Sequence, residues 1–129
     1  MGNVLLVDYN TNQRILYEMV LREDGYNVVS VGSAKEALLN VEVWLPDIIV
    51  LDILLPDMDG IQFIGRLFNE RHKIIVHTAW KTFEKNLMMC GVDAYILKSS
   101  DLSTLKNKIH ELLELSRPLT MSRRACINV

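Results

Sequence analysis

Five times along the chain, an apolar run of strand length is followed by a segment whose apolar residues recur at helical spacing. "NVLLV" (Asn3 to Val7) reads as a first strand. A helix from about Thr11 follows, capped by Asn10 or Thr11, with Ile15, Leu16, Met19 and Val20 on one face. "YNVVSV" (Tyr26 to Val31) is a second strand after the break at Gly25, and Ala34, Ala37, Leu38 and Val41 mark a helix that must stop before Pro46. Asp47 to Leu51 is the third strand, and Gly60 opens a helix that buries Ile61, Ile64, Leu67 and Phe68. "KIIVH" (Lys73 to His77), a helix over roughly Thr82 to Cys90, and "AYIL" (Ala94 to Leu97) come next. A last helix places Leu102, Leu105, Ile109 and Leu112 on one side. Strict βα alternation of this kind predicts an α/β fold, a doubly wound parallel sheet with helices on both faces.

At 129 residues the chain fits one such domain, with a core that removes about two-thirds of its surface from water. A net charge of -2 gives no reason to expect nucleic acid or an anionic membrane as partner. No apolar stretch reaches the roughly 20 residues of a membrane span, and the N-terminus lacks a signal-peptide pattern, so a cytoplasmic protein is expected. Cys90 and Cys126 have neither CxxC spacing nor a histidine-rich context and are expected as free thiols. The tail from Ser116 has no periodicity. Residues 1–116 are therefore read as the folded domain and 117–129 as a solvated tail, with a docking segment as the alternative.

In open α/β sheets a site forms outside the carboxyl ends of the strands. Asp8 follows the first strand, Asp52 the third, Thr78 the fourth and Lys98 the fifth. Each alone has a structural reading, since Asp and Thr are common caps and a lone Lys is usually at the surface. Two acids, a hydroxyl and an ammonium together at strand ends instead suit phosphoryl transfer to a carboxylate. Asp52 would be the nucleophile and Asp8 a metal-side acid, while Thr78 and Lys98 would hold the phosphoryl oxygens.

The stretches "LLVDYNTNQR", "PDIIVLDILLPDMDG", "HTA" at Thr78 and "GVDAYILK" ending in Lys98 resemble, in order and spacing, the receiver domains of two-component response regulators. The likeness runs from Asn3 to about Leu115 and is closest in kind to single-domain, chemotaxis-regulator-like receivers. It implies a flavodoxin-like five-stranded sheet in order 2-1-3-4-5 with five helices. It also implies that a histidine kinase or phosphotransfer protein phosphorylates Asp52. Magnesium would be held by Asp8, Asp52 and the Leu54 backbone carbonyl, and Thr78 and Tyr95 would act as the switch. The protein would be a phosphoacceptor with at most slow autodephosphorylation, not an enzyme. No second domain is expected after Leu115, so a monomer or weak dimer would signal to a downstream protein through its fourth helix, fifth strand and fifth helix.

Four departures from the family pattern carry expectations of their own. Tyr9 stands where a second acid normally ligates magnesium directly, which weakens metal binding and motivates an alternative: a receiver-like interaction module that signals without phosphorylation. Ser99 replaces the proline that usually follows the lysine, so the bond after Lys98 is expected trans. Leu54 and Trp80 place apolar bulk where polar residues often influence phosphoaspartate hydrolysis, predicting a long-lived phosphorylated state. His72, His77 and His110 lack ligand spacing and are expected in structural or surface roles. An aspartate-nucleophile phosphatase is disfavoured because Leu54 stands where its second acid would be. A flavodoxin-type carrier is disfavoured because "DYNTN" has no glycine with which to cradle a phosphate.

Overall fold

The structure, a computed structural model, describes residues 2–67 and 72–114. The elements alternate as expected: β1 (Asn3–Val7), α1 (Thr11–Glu23), β2 (Asn27–Val31), α2 (Ala34–Trp44), β3 (Ile48–Leu51), α3 (Gly60–Arg66), β4 (Lys73–Thr78), α4 (Glu84–Met89), β5 (Ala94–Leu97) and α5 (Ser103–Glu114). All five strands are parallel, in the order β2-β1-β3-β4-β5. β1 lies between β2 and β3, with Val4 level with both Val28 and Ile48.

Successive strand residues point to opposite faces, so the continuous apolar runs supply two cores. Leu5, Val7, Ile49, Leu51 and Val76 pack under α2, α3 and α4. Val4, Leu6, Ile48, Val50 and Ile75 pack under α1 and α5. Such a sheet has no solvated face, which is why its strands read as unbroken apolar runs instead of alternating ones.

α1 turns a different face inward from the one predicted. Tyr17 and Leu21 are 5 % and 1 % exposed, whereas Ile15, Leu16 and Met19 are 51 %, 50 % and 57 % exposed. Three apolar pairs at i, i+4 lie side by side on this helix, and the one that docks is the pair carrying Tyr17, whose ring meets His77 edge-on at 5.0 Å. α3 buries Phe63 and Ile64, with Leu67 just beyond it. Phe68 lies outside the described residues. α4 is shorter than the span predicted for it, consistent with the absence of any side-chain cap at Phe83. α2 stops before Pro46 as expected, with Leu45 in the left-handed region at φ 53°.

The expectation of a free thiol at Cys90 is corrected: Cys90 is disulfide-bonded. Spacing along the chain is a poor guide here, because a bridge needs only that two Cα atoms approach within about 7 Å in space. Cys126 and the tail lie outside the described residues. Among the described residues no peptide bond is cis, so the bond after Lys98 is trans, as expected.

Asn10 caps α1, its side-chain oxygen accepting from the Gln13 N–H at 3.0 Å. Replacing Asn10 by alanine leaves that donor without its partner and should cost about 1 kcal/mol in denaturant unfolding. An unchanged midpoint would show that solvent satisfies the helix end equally well.

Candidate functional site

The backbone ladder runs one residue past the strands at the sheet's carboxyl edge and fixes the three charged residues there. The Asp8 N–H donates to the Val31 carbonyl at 3.1 Å, the Asp52 N–H to Val7 at 2.9 Å, and the Lys98 N–H to Thr78 at 2.8 Å. Thr78 is the last residue of β4, opposite Leu97, and not the first residue after the strand as its sequence suggested. Beyond Asp52 the chain doubles back through an isolated antiparallel bridge between Leu54 and Asp59. A Cβ on Gly60 would stand 2.9 Å from Ile53 Cα, so this close return requires glycine at the start of α3.

Asp8, Asp52 and Lys98 form one buried ionic group. Lys98 Nζ lies 2.8 Å from Asp8 Oδ2 and 2.7 Å from Asp52 Oδ2. The other oxygen of each carboxylate accepts a backbone N–H, from Asn10 at 2.9 Å onto Asp8 and from Leu54 at 3.1 Å onto Asp52. Burial opposes the Lys98 ammonium, but its hydrogen bonds to Asp52 and Asp8, and their charges, outweigh that cost and hold its pKa above the ordinary lysine value. Two carboxylates and one ammonium leave the group with one net negative charge.

The third Lys98 donor goes to Gln13 Oε1 at 2.6 Å. Sequence reasoning missed Gln13, since an amide on the first turn of a helix carries no signal of its own. The available clue was geometric: α1 starts directly above the Asp8 strand end.

Thr78 Oγ1 is fully buried and has no hydrogen-bond partner among the described residues. The Tyr95 hydroxyl donates to the Trp80 carbonyl, tying β5 to the segment that follows Thr78. Tyr9, Leu54 and Trp80 are 64 %, 49 % and 52 % exposed, so all three large side chains face solvent at this end of the sheet. The histidines have the structural or surface roles expected of them. His72 Nδ1 bonds the Pro46 carbonyl at 2.7 Å, His77 packs on Tyr17, and His110 pairs with Glu114 on the surface of α5.

Among the described residues, no group of three or more His, Cys, Asp or Glu side chains is placed to hold a metal. Two carboxylates nevertheless converge on one cation, the Lys98 ammonium. Magnesium commonly binds through one or two carboxylates and keeps several waters, so this donor pair fits it.

Comparison with known proteins agrees with the geometry. The sequence profile described as the response regulator receiver domain matches residues 4–110. Among characterised relatives, the alkaline phosphatase synthesis transcriptional regulatory protein PhoP of Bacillus subtilis is 31 % identical over 88 % of this chain and 49 % of its own length. The sporulation initiation phosphotransferase F of the same organism is 27 % identical over 87 % of this chain and 94 % of its own. The chain thus spans about half the length of the transcriptional regulators it matches and nearly all of the phosphotransferase. The response regulator TrrA of Thermotoga maritima, solved with magnesium and beryllofluoride, superposes with a TM-score of 0.81 at 31 % identity, over 87 % of this chain and 99 % of that one. TrrA in complex with the histidine kinase ThkA gives the same TM-score at 30 % identity, over 88 % of this chain and all of that one. Profile, sequence and the parallel sheet in the order 2-1-3-4-5 thus agree, and the chain belongs to the response regulator receiver domain family.

Proposed function

We propose that Asp52 is the phosphoacceptor of this receiver domain and that a histidine kinase or phosphotransfer protein is its donor. The reading is carried by one observation: Asp52 shares the Lys98 ammonium with Asp8 at the sheet edge where the buried Thr78 hydroxyl lacks a partner. An Asp52 carboxylate oxygen forms the new O–P bond as the donor's N–P bond breaks. The bonding pair stays on the donor nitrogen. Lys98 and Thr78 supply an ammonium and a hydroxyl for the phosphoryl oxygens. Bound magnesium, held by Asp8, Asp52 and the Leu54 carbonyl, would neutralise part of the charge gathered there.

Phosphorylation adds roughly -1.5 to -2 charges. Thr78 is the residue placed to respond, and the Tyr95 hydrogen bond to Trp80 connects that response to β5 and to a downstream protein target. The exposed strip Ile15, Leu16 and Met19, on the helix that starts beside Asp8, suits the apolar contact surface of a helical donor protein. TrrA, which shares this fold, has been solved with a histidine kinase. Residues 1–116 would form the working unit, in the cytoplasm.

A second reading, an interaction module that signals without phosphorylation, is favoured by Tyr9, which is exposed and supplies no carboxylate. Phosphoramidate with magnesium separates the two. The receiver reading expects the mass gain of one phosphoryl group, lost on treatment with hydroxylamine; no gain at saturating donor and magnesium leaves the interaction module. The same assay tests Tyr9. A third carboxylate adds attraction for the cation, so Tyr9→Asp should bind magnesium roughly tenfold tighter by calorimetry and label faster. Like-charge repulsion should lower its metal-free stability. Equal affinity in the two proteins would show that Asp8, Asp52 and the backbone already suffice.

A further inference from the structure

We infer that Gln13 is a positioning residue for Lys98: its amide oxygen is the fixed anchor about which the ammonium turns from Asp52 to an incoming phosphoryl group. The inference rests on the reading of Asp52 as phosphoacceptor and assigns a role to a residue outside the acid, hydroxyl and lysine set.

An ammonium has three donors, and here all three are taken, by Asp8, Asp52 and Gln13. Gln13 is itself braced. The Asn10 N–H bonds Asp8 Oδ1, the Gln13 N–H bonds the Asn10 side chain, Lys98 Nζ bonds Gln13 Oε1, and the same Nζ returns to Asp8 Oδ2. Four hydrogen bonds close a ring through Asp8, Asn10, Gln13 and Lys98, with Asp52 as the one partner of Nζ outside it.

The ring defines what moves on phosphorylation. Once an Asp52 oxygen is phosphorylated to the acyl phosphate, the carboxylate loses its charge and the phosphoryl oxygens become the stronger acceptors. Lys98 then exchanges one bond, from Asp52 Oδ2 to a phosphoryl oxygen, while Gln13 and Asp8 keep the other two. Gln13 suits the task because an amide accepts the bond without adding charge. A carboxylate in its place would keep the anchoring bond but add a charge that repels both Asp8 and Asp52, a cost to stability and not to the hold on Lys98. Without an acceptor there, one ammonium proton loses its partner in a partly buried site and the ammonium is no longer held in place.

The test compares Gln13→Met, which keeps length and shape but accepts only weakly, with Gln13→Glu, which keeps a strong acceptor. Gln13→Met should lower the maximal rate of phosphoramidate labelling roughly tenfold, the worth of one charge-assisted hydrogen bond, with an unchanged half-saturating donor concentration because Gln13 does not touch the donor. Gln13→Glu should recover most of that rate. The Lys98 ammonium resonance, observed by nitrogen-15 NMR, should exchange its protons slowly in the parent and in Gln13→Glu and quickly in Gln13→Met. A Gln13→Met protein that labels like the parent and keeps a slowly exchanging Lys98 signal overturns the assignment. If the parent takes no label, the phosphoacceptor reading fails separately. The Lys98 signal then decides alone, and equal exchange in parent and Gln13→Met rules the anchor out.

Discussion

Asp52→Asn should take up no phosphoryl group from phosphoramidate under conditions that label the parent fully, and it should remain folded. The substitution keeps the shape of the side chain and removes its charge, leaving an amide oxygen too weak to attack phosphorus. The structural cost follows from the pairing. Asp52 accepts the Leu54 N–H with one oxygen and Lys98 with the other. An asparagine can satisfy one of these donors, while its NH2 group meets the other donor head-on. Lys98 keeps Asp8 and Gln13, so no buried charge is stranded. The loss should be about 1 to 2 kcal/mol, small enough to leave a cooperative unfolding transition. Asp8 is the obvious rival acceptor, being equally buried and bonded to the same ammonium. Peptide mapping of any residual label therefore discriminates: label at Asp8 moves the acceptor to the first strand, and full labelling of Asp52→Asn removes Asp52 from the mechanism.

The parts of this fold legible in sequence are those where one physical requirement dominates. A strand buried on both faces must be apolar throughout, so β1 and β3 are legible to within one residue. Asp8, Asp52 and Lys98 were legible because each follows such a run directly, where a charge has no place in a core. The buried face of α1 was not legible. Ile15 and Met19, Leu16 and Val20, and Tyr17 and Leu21 are three apolar pairs at the same helical spacing, and only tertiary packing on Val4, Leu6 and Val28 selects the third. Gln13 was missed for a related reason. Its partner lies 85 residues away, and an amide becomes informative only when a buried ammonium is seen to need a third acceptor. Cys90 shows the same limit, since bridging depends on proximity in space and not on spacing along the chain.

His77 should make the stability of the fold depend on pH well above the range of the carboxylates. It is 3 % exposed, packs edge-on against Tyr17, and its Nδ1 has no hydrogen-bond partner among the described residues. Burial, and then the charge of Lys98, push its pKa down from 6.5 to about 4, against the weaker opposite pull of Asp8 and Asp52. In the unfolded chain the imidazole takes up a proton below about 6.5, whereas the folded protein refuses it until near 4. The unfolded state therefore binds more protons between these values, so stability rises with pH across the window and is lost as pH falls through it. The full span corresponds to about 3 kcal/mol, a large part of the stability of a domain this size. Carboxylates whose pKa values are depressed by folding, such as Glu18, keep their contribution above their unfolded values near 4.5 and lose it only as pH falls below them. His77→Phe keeps a ring against Tyr17 and removes the titrating group and its unpartnered nitrogen. Urea unfolding at several pH values between 7 and 4.5 should show the parent losing about 2 kcal/mol and His77→Phe losing much less. The difference between the two isolates His77 from His72, which is also buried and is the same in both proteins. Parallel curves would mean that His77 accepts its proton in the folded state as readily as in the unfolded one, and that the low-pH limb belongs to another group.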